Sequence, residues 1–377
     1  MRTMIHILFR SEKLPALPAL GLVFILLFWG GAVSAQEHTD TRSVSKKFPV
    51  SRETTLEVHN KYGKIQVVTW KKDSAEMVVD IHLSESSASK LRKLREDISI
   101  DFTRTNNYII ARSKFKSESG RIASELKSVS HTLSGSNKHV EINYTLYIPD
   151  YLDLVLTNKF GDIYLDDLKG QVEIELSNGA LNASNLEGTA NLSLSFTDGM
   201  IKSIGSGTLS LTYSDLTLGE AGQLDLTSKS SKLEADSVNV LKINSRRDKL
   251  YFQRVEYLYG NSNFTQVWIY DFLRESDIYM KYGKLTIENV VPVFSKIYVE
   301  SEFTDVTLHF DARSAFAFDI LHHEKSVLRL PGNLISADEM HDGKEHFRTT
   351  GKIGSNNPVG KVTIDALQKC FVNLSIK

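Results

Sequence analysis

Seven side chains with metal-ligand or acid–base chemistry crowd one stretch near the C-terminus: His322, His323 and Glu324, then His341, Asp342, Glu345 and His346. Imidazole nitrogens and carboxylate oxygens are ligands that zinc takes, so so dense a group raises the question of a metal centre. The spacing argues against one. No His-Glu-x-x-His run fixes two ligands on one helix face. In a strand, adjacent His322 and His323 would point to opposite faces. The expectation is solvated loop histidines, with no metal ligands and no cofactor.

Asp162, Asp166 and Asp167 form the second group. Hydrolysis of a glycosidic bond needs two carboxylates held at a defined separation. Elsewhere in the chain the acids stand singly among lysines, as on a solubilising outer face. There is no phosphate-binding or dinucleotide loop, no Gly-x-Ser-x-Gly elbow and no glycine-rich calcium repeat. Gly205-Ser206-Gly207 reads as a turn, and the single cysteine, Cys370, as a small buried apolar residue. No catalytic residue is assigned.

The third group is aromatic. Ten aromatic residues lie between positions 251 and 282. Alternation sets Trp268 and Tyr270 opposite Val267 and Ile269, so one of these pairs faces outward. Tyr257, Tyr259, Trp268 and Tyr270 are the candidate binding face, suited to a glycan or protein partner; filling the core is the competing reading.

The elements that would position these groups repeat along the chain. At 154–165 a short alternating strand runs into Asn158-Lys159-Phe160-Gly161-Asp162 and out into a second strand. Comparable units carry turns at Gly179, Asp198, Asp215, Ser231, Asp248, Asn263, Gly283, Asp305 and Lys325, at gaps of 15 to 22 residues. Period-2 alternation, as in Leu192, Leu194 and Phe196, puts apolar residues on one face. A single unit cannot bury that face, but stacked units can. The fold class expected is therefore all-β: a parallel β-helix or β-solenoid of short strand–turn–strand coils over 151–330.

An earlier copy, Asn60-Lys61-Tyr62-Gly63-Lys64-Ile65, matches the unit at 158–163, and Lys281-Tyr282-Gly283-Lys284-Leu285 is a third. Glycine there suits a turn with positive φ, and the aromatic before it can pack along the stack. Residues 48–150 read as this first repeat plus a small α+β cap. A helix is expected over 86–97 behind serine caps, and a hairpin around Asn106-Asn107. Residues 113–138 read as a polar loop. Residues 331–377 read as a C-terminal loop, centred on 341–351, and closing strands.

The first 35 residues read as a signal peptide: Arg2, Arg10 and Lys13, an apolar run, then Val33-Ser34-Ala35. Cleavage after Ala35 would send the chain to the periplasm, the outer surface or the medium. An uncleaved segment would be its one attachment to membrane. Residues 36–47 read as a flexible leader. Removing the signal leaves 42 basic and 45 acidic residues, a net charge of −3, which offers no electrostatic footprint for nucleic acid. One cysteine allows no intrachain disulfide, so stability must come from core burial.

Residues 56–70, Tyr147-Ile148-Pro149 leading into 154–166, and the closing 352–364 resemble the DUF4097-type adhesin family. These are bacterial exported β-strand-repeat proteins, related to head-domain and auto-transporter-adhesin-like proteins. The closure departs from the family pattern, with 365–371 lacking a glycine. The resemblance implies a parallel β-helix at the cell envelope with an adhesin-like role. A carbohydrate-active enzyme and a structural or sensory envelope component are the alternatives.

Overall fold

The computed structural model describes residues 37–116 and 139–377; the expected signal peptide and most of the loop expected at 113–138 lie outside them. Among the described residues the chain is nearly all strand, joined in one connected sheet of 23 strands, with one helix at Ala88–Asp97. Among the same residues no helix is long and apolar enough to cross a membrane.

Between residues 198 and 310 each pass of chain lies in parallel register on the next. Asp198 pairs with Asp215, Asp215 with Lys232, Lys232 with Lys249, and Lys249 with Gln266. Each step is 17 residues. A bulge between Val255 and Tyr257 then lengthens the offset to 18, and the next passes add 21 residues. Constant register puts like residues in columns. Leu216, Leu233, Leu250, Val267, Leu285 and Val306 stack inward, each at most 3% exposed. At about 25 cal/mol per Å2 of apolar surface, such columns stabilise a chain that has no disulfide.

The N-terminal copy joins the same stack. Strand Thr55–His59 pairs with Asp153–Asn158, and Ile65–Trp70 with Ile163–Leu165, all in parallel. The repeated glycines meet there. Gly63 and Gly161 have φ of 98° and 139°, and a Cβ on Gly161 would lie 2.1 Å from the Gly63 carbonyl oxygen. The aromatic rings before them stack, Tyr62 on Phe160 at 5.6 Å. The third copy departs: at 282–283 it is Tyr282, with φ 52°, that takes the left-handed conformation, not Gly283.

Three expectations need correction. The leader expected to be flexible at 36–47 is strand from residue 38 on: His38–Pro49 runs antiparallel along the whole length of Ser74–Glu85. Its side chains are largely polar, so the strand is held by backbone bonds to an otherwise open edge rather than by burial. Residues 341–351 are no loop either, because Leu334–His341 and His346–Ile353 form an antiparallel hairpin. The first of these strands is exposed throughout, which removed the alternation that marks a strand in sequence. Lastly, Gly360–Ala366 and Phe371–Ile376 do not close the stack. The former lies in parallel between Lys296–Glu302 and Phe316–His323, the latter between Asp305–Phe310 and Val327–Arg329. The chain returns to insert its last pass between two earlier ones.

The helix and the hairpin at its end match expectation. Ser87 caps Ala88–Asp97 by accepting from the Lys90 amide. Ile98–Arg104 then pairs antiparallel with Tyr108–Phe115.

Candidate binding face

The register turns one corner of the stack into a line of residues on left-handed backbone: Asn178, Phe196, Tyr213, Ser230, Arg247, Phe264, Tyr282 and Phe303. Their φ values lie between 50° and 61°, and their spacing follows the passes. A bulky side chain there is an outlier, at about 1–3 kcal/mol each. Five of the eight are Phe or Tyr, and their rings point into solvent, from 43% exposed at Tyr282 to 59% at Phe196.

The next residue of each pass explains why the corner holds. Thr197, Ser214, Ser231, Asp248 and Thr265 form a buried polar column just inside it. At the corner the strand ladder is interrupted, and an unpaired buried amide would cost about 1–3 kcal/mol. The column supplies the acceptor from the following pass. The Thr197 amide donates to Ser214 Oγ at 3.1 Å, the Ser214 amide to Ser231 Oγ at 3.1 Å, and the Ser231 amide to Asp248 Oδ1 at 2.8 Å. The Asp248 amide donates to Thr265 Oγ1 at 3.3 Å. Asp248 is the one carboxylate in this hydroxyl column, and desolvation by burial holds its pKa above the usual carboxylate value. Hydrogen bonds from Ser228 Oγ and from the Ser231 and Arg246 amides pull it back in part.

Outside the corner the rings stack. Phe196 lies over Tyr213 at 5.2 Å, Phe264 over Tyr282 at 4.9 Å, and Tyr282 over Phe303 at 5.1 Å, all within 17° of parallel. The Arg247 guanidinium sits over the Phe264 ring at 5.8 Å. An aromatic pair returns about 0.5–1.5 kcal/mol beyond its buried area. That is less than the two left-handed residues of a pair cost together, so stability alone gives no reason for the aromatic choice. Asn178, on the same line, has the side chain that tolerates this backbone.

The four aromatics singled out in sequence lie to either side of this corner. Val267 and Ile269 are buried, so Trp268 and Tyr270 face outward, their rings 6.0 Å apart. Trp268 Nε1 donates to Glu288 Oε1 at 3.4 Å. Tyr257 and Tyr259 face outward on the limb that leads into Phe264, with rings 6.4 Å apart. They make two pairs on successive limbs rather than one strip, and none is a rung of the ladder.

The carboxylates are occupied by backbone. Asp162 Oδ1 accepts from the Ala180 amide at 2.8 Å, Asp166 Oδ2 from the Thr69 amide at 3.0 Å, and Asp167 Oδ1 from the Asn185 amide at 3.0 Å. The Asn185 bonds hold the Asp167 pKa below its ordinary value. Asp166 also lines a shallow groove of about 620 Å3 with Tyr164, Met200, Lys202 and Asp236. The histidines are not in loops. His322 is buried on its strand, with Nε2 3.2 Å from Thr349 Oγ1, while His323 lies 3.7 Å from Glu345 and His341 packs on Phe347. Among the described residues no three His, Cys, Asp or Glu side chains converge as metal ligands. Cys370 is buried and its thiol pKa is raised by desolvation.

Neither a family model nor a curated protein matches the chain. Among solved structures it is similar to a "putative cell adhesion protein" of Clostridium sporogenes, at 10% identity, covering 89% of this chain and all of that one, with a TM-score of 0.18. It is also similar to a "putative adhesin" and a "putative lipid binding protein" of Parabacteroides distasonis. These are 10% and 8% identical, cover 72% and 71% of this chain and 94% of each of those, and both have a TM-score of 0.32. Superposition this loose leaves the role of the chain to its own geometry.

Proposed function

We propose that the stacked passes form a β-solenoid of the cell envelope, adhesin-like and non-catalytic, which binds a glycan or protein along its aromatic corner. The observation that carries this reading is the set of five exposed aromatics on left-handed backbone. Strained backbone is kept where something else depends on it, and here the residues kept are the ones a partner would touch. Trp268, Tyr270, Tyr257 and Tyr259 would widen the contact to both sides. The basic and apolar N-terminal segment ending in Val33-Ser34-Ala35 supports export. The engagement of Asp162, Asp166 and Asp167 with backbone amides speaks for a scaffold role over an acid–base one.

A glycan array and a cell pull-down with the purified chain test the reading. Binding without turnover of any bound glycan supports it. Release of reducing ends from a bound glycan, lost when Asp162, Asp166 and Asp167 are changed to Asn, would make the chain an enzyme instead.

A further inference from the structure

The aromatic ladder has a gap. Between Tyr213 and Phe264 the two intervening rungs are Ser230 and Arg247, both on the same left-handed backbone. Tyr213 and Arg247 are two rungs apart, about 10 Å at the usual strand spacing of ~4.8 Å. The Arg247 guanidinium lies over the Phe264 ring, and the half-buried Ser230 carries no ring to fill its own rung. A ring placed at the Ser230 rung would therefore lie about 5 Å from Tyr213 and from Arg247. That is the separation the native rings keep at Phe196–Tyr213 and Tyr282–Phe303.

The same two rungs carry unusual charge. Lys229, Arg246, Arg247 and Lys249 are exposed, and among the described residues none has a carboxylate within ion-pair distance. Lys232, beside them, is paired with Glu234 at 2.6 Å. In the passes before stand Asp198 and Asp215; in the pass after stand the uncharged Asn263 and Gln266, followed by Lys281, which is held by Glu302, and Lys284. The unpaired cations nearest the Ser230 rung thus span about two rungs, bounded by acids on one side and by an uncharged pass on the other. A long polyanion would run into acids at one end and leave the unpaired cations at the other, whereas one anionic ring would not. A neutral aromatic side chain would fill the gap but leave the four cations unused.

We propose that the Ser230 rung is a slot for the ring of an acidic sugar at the end of a glycan. The apolar face of the pyranose stacks on Tyr213. Its carboxylate takes the Arg247 guanidinium, with Lys229 and Arg246 close on the same corner. The proposal rests on the reading of the corner as a binding face and names its ligand class.

The test uses the full chain with three probes: a glucuronate-terminated trisaccharide, its glucose-terminated counterpart, and single-stranded oligothymidylate. Titration calorimetry is read for the native chain and for Ser230→Phe and Arg247→Gln. Phenylalanine at 230 occupies the slot, and the fold accepts it, because Phe196, Phe264 and Phe303 hold the same φ. The expected result is binding of the glucuronate probe at least tenfold tighter than of the neutral one. That preference is lost in both variants while thermal unfolding of Ser230→Phe stays native or rises. No binding of the glucuronate probe, equal binding of the neutral probe, undiminished binding by Ser230→Phe, or a preference for oligothymidylate overturns the proposal. Neutral-probe binding that survives Ser230→Phe but is lost on removing the other rungs would sink the slot and keep the binding corner.

Discussion

Phe264 and Tyr282 stand ring over ring, centroids 4.9 Å apart and 17° from parallel, and each holds its ring there from left-handed backbone. Tyr282 is also stacked on Phe303, so it is the shared rung of two pairs. Tyr282→Ala removes both stacks and keeps the strain, and should cost about 1–3 kcal/mol. Tyr282→Gly removes both stacks and relieves the strain, so it should cost less than the alanine variant. Denaturant midpoints decide this. Alanine as stable as glycine would mean that the backbone at 282 is not strained.

Asp248 makes stability depend on pH in a direction opposite to most carboxylates. Its folded pKa is raised by burial, so the folded state prefers the protonated form. Its contribution is full below the unfolded value, near 3.8, and is lost as pH rises through the raised folded value. Asp248→Thr gives the column the hydroxyl it has at Thr197 and Thr265 and removes the titration. Between pH 4 and 8 the stability difference should move in favour of the variant as pH rises, with a slope of at most about 1.4 kcal/mol per pH unit. Urea midpoints of both proteins across that range give the slope. A difference independent of pH would show that Asp248 does not change its proton occupancy on folding.

Gly161 has no room for a side chain. A methyl group there meets the Gly63 carbonyl at 2.1 Å, on a φ of 139° that already excludes alanine. Gly161→Ala should lose about 3 kcal/mol or more by adding overpacking to backbone strain. The loss appears as a lowered thermal midpoint. Gly332, with nothing within 4 Å of its would-be Cβ, should accept alanine at little cost.

The inserted final pass predicts that the C-terminus is not dispensable. Deleting residues 356–377 strips the parallel partner from four strands at once and opens two sheet edges inside the stack. Val362, Ile364, Val372 and Leu374, all buried, go with it. The truncated chain should aggregate or become protease-sensitive throughout 296–353, as limited proteolysis with size-exclusion chromatography would show. A soluble, cooperatively folding truncation would contradict the insertion.

Much of the fold is legible in the sequence because burial writes it there. The alternation of Leu192 and Leu194 with polar residues marks a strand, although Phe196, expected to continue it inward, turns out into solvent on left-handed backbone; Ser87 ahead of Leu91 and Leu94 marks the helix. The corner was harder to read because it breaks the usual preference. The turns expected from sequence fall mostly on Gly, Asp and Asn, the residues that accept positive φ cheaply, and so their intervals drift between 15 and 22. The residues that turn the chain are Phe196, Tyr213, Ser230, Arg247 and Phe264, spaced 17 apart, each followed by Thr, Ser, Ser, Asp or Thr. An aromatic followed by a hydroxyl residue at multiples of 17, as at 196, 213 and 264, is the signal that would have found the ladder. Tyr257, Tyr259, Trp268 and Tyr270 stood out by density alone, which places a region but not a register. The inserted C-terminal pass left no trace in sequence, since order along the chain and order in the stack differ there.

The central claim is that the aromatic corner is where this protein meets its partner. Changing Phe196, Tyr213, Phe264, Tyr282 and Phe303 together to Asn keeps side chains that left-handed backbone tolerates, as Asn178 does natively, and removes every exposed ring of the ladder. The measurement is the dissociation constant of this variant for the strongest glycan or surface partner of the native chain, taken with a folded circular-dichroism spectrum. At least a hundredfold loss of binding by a folded variant is the result predicted; native affinity without the rings would contradict the account.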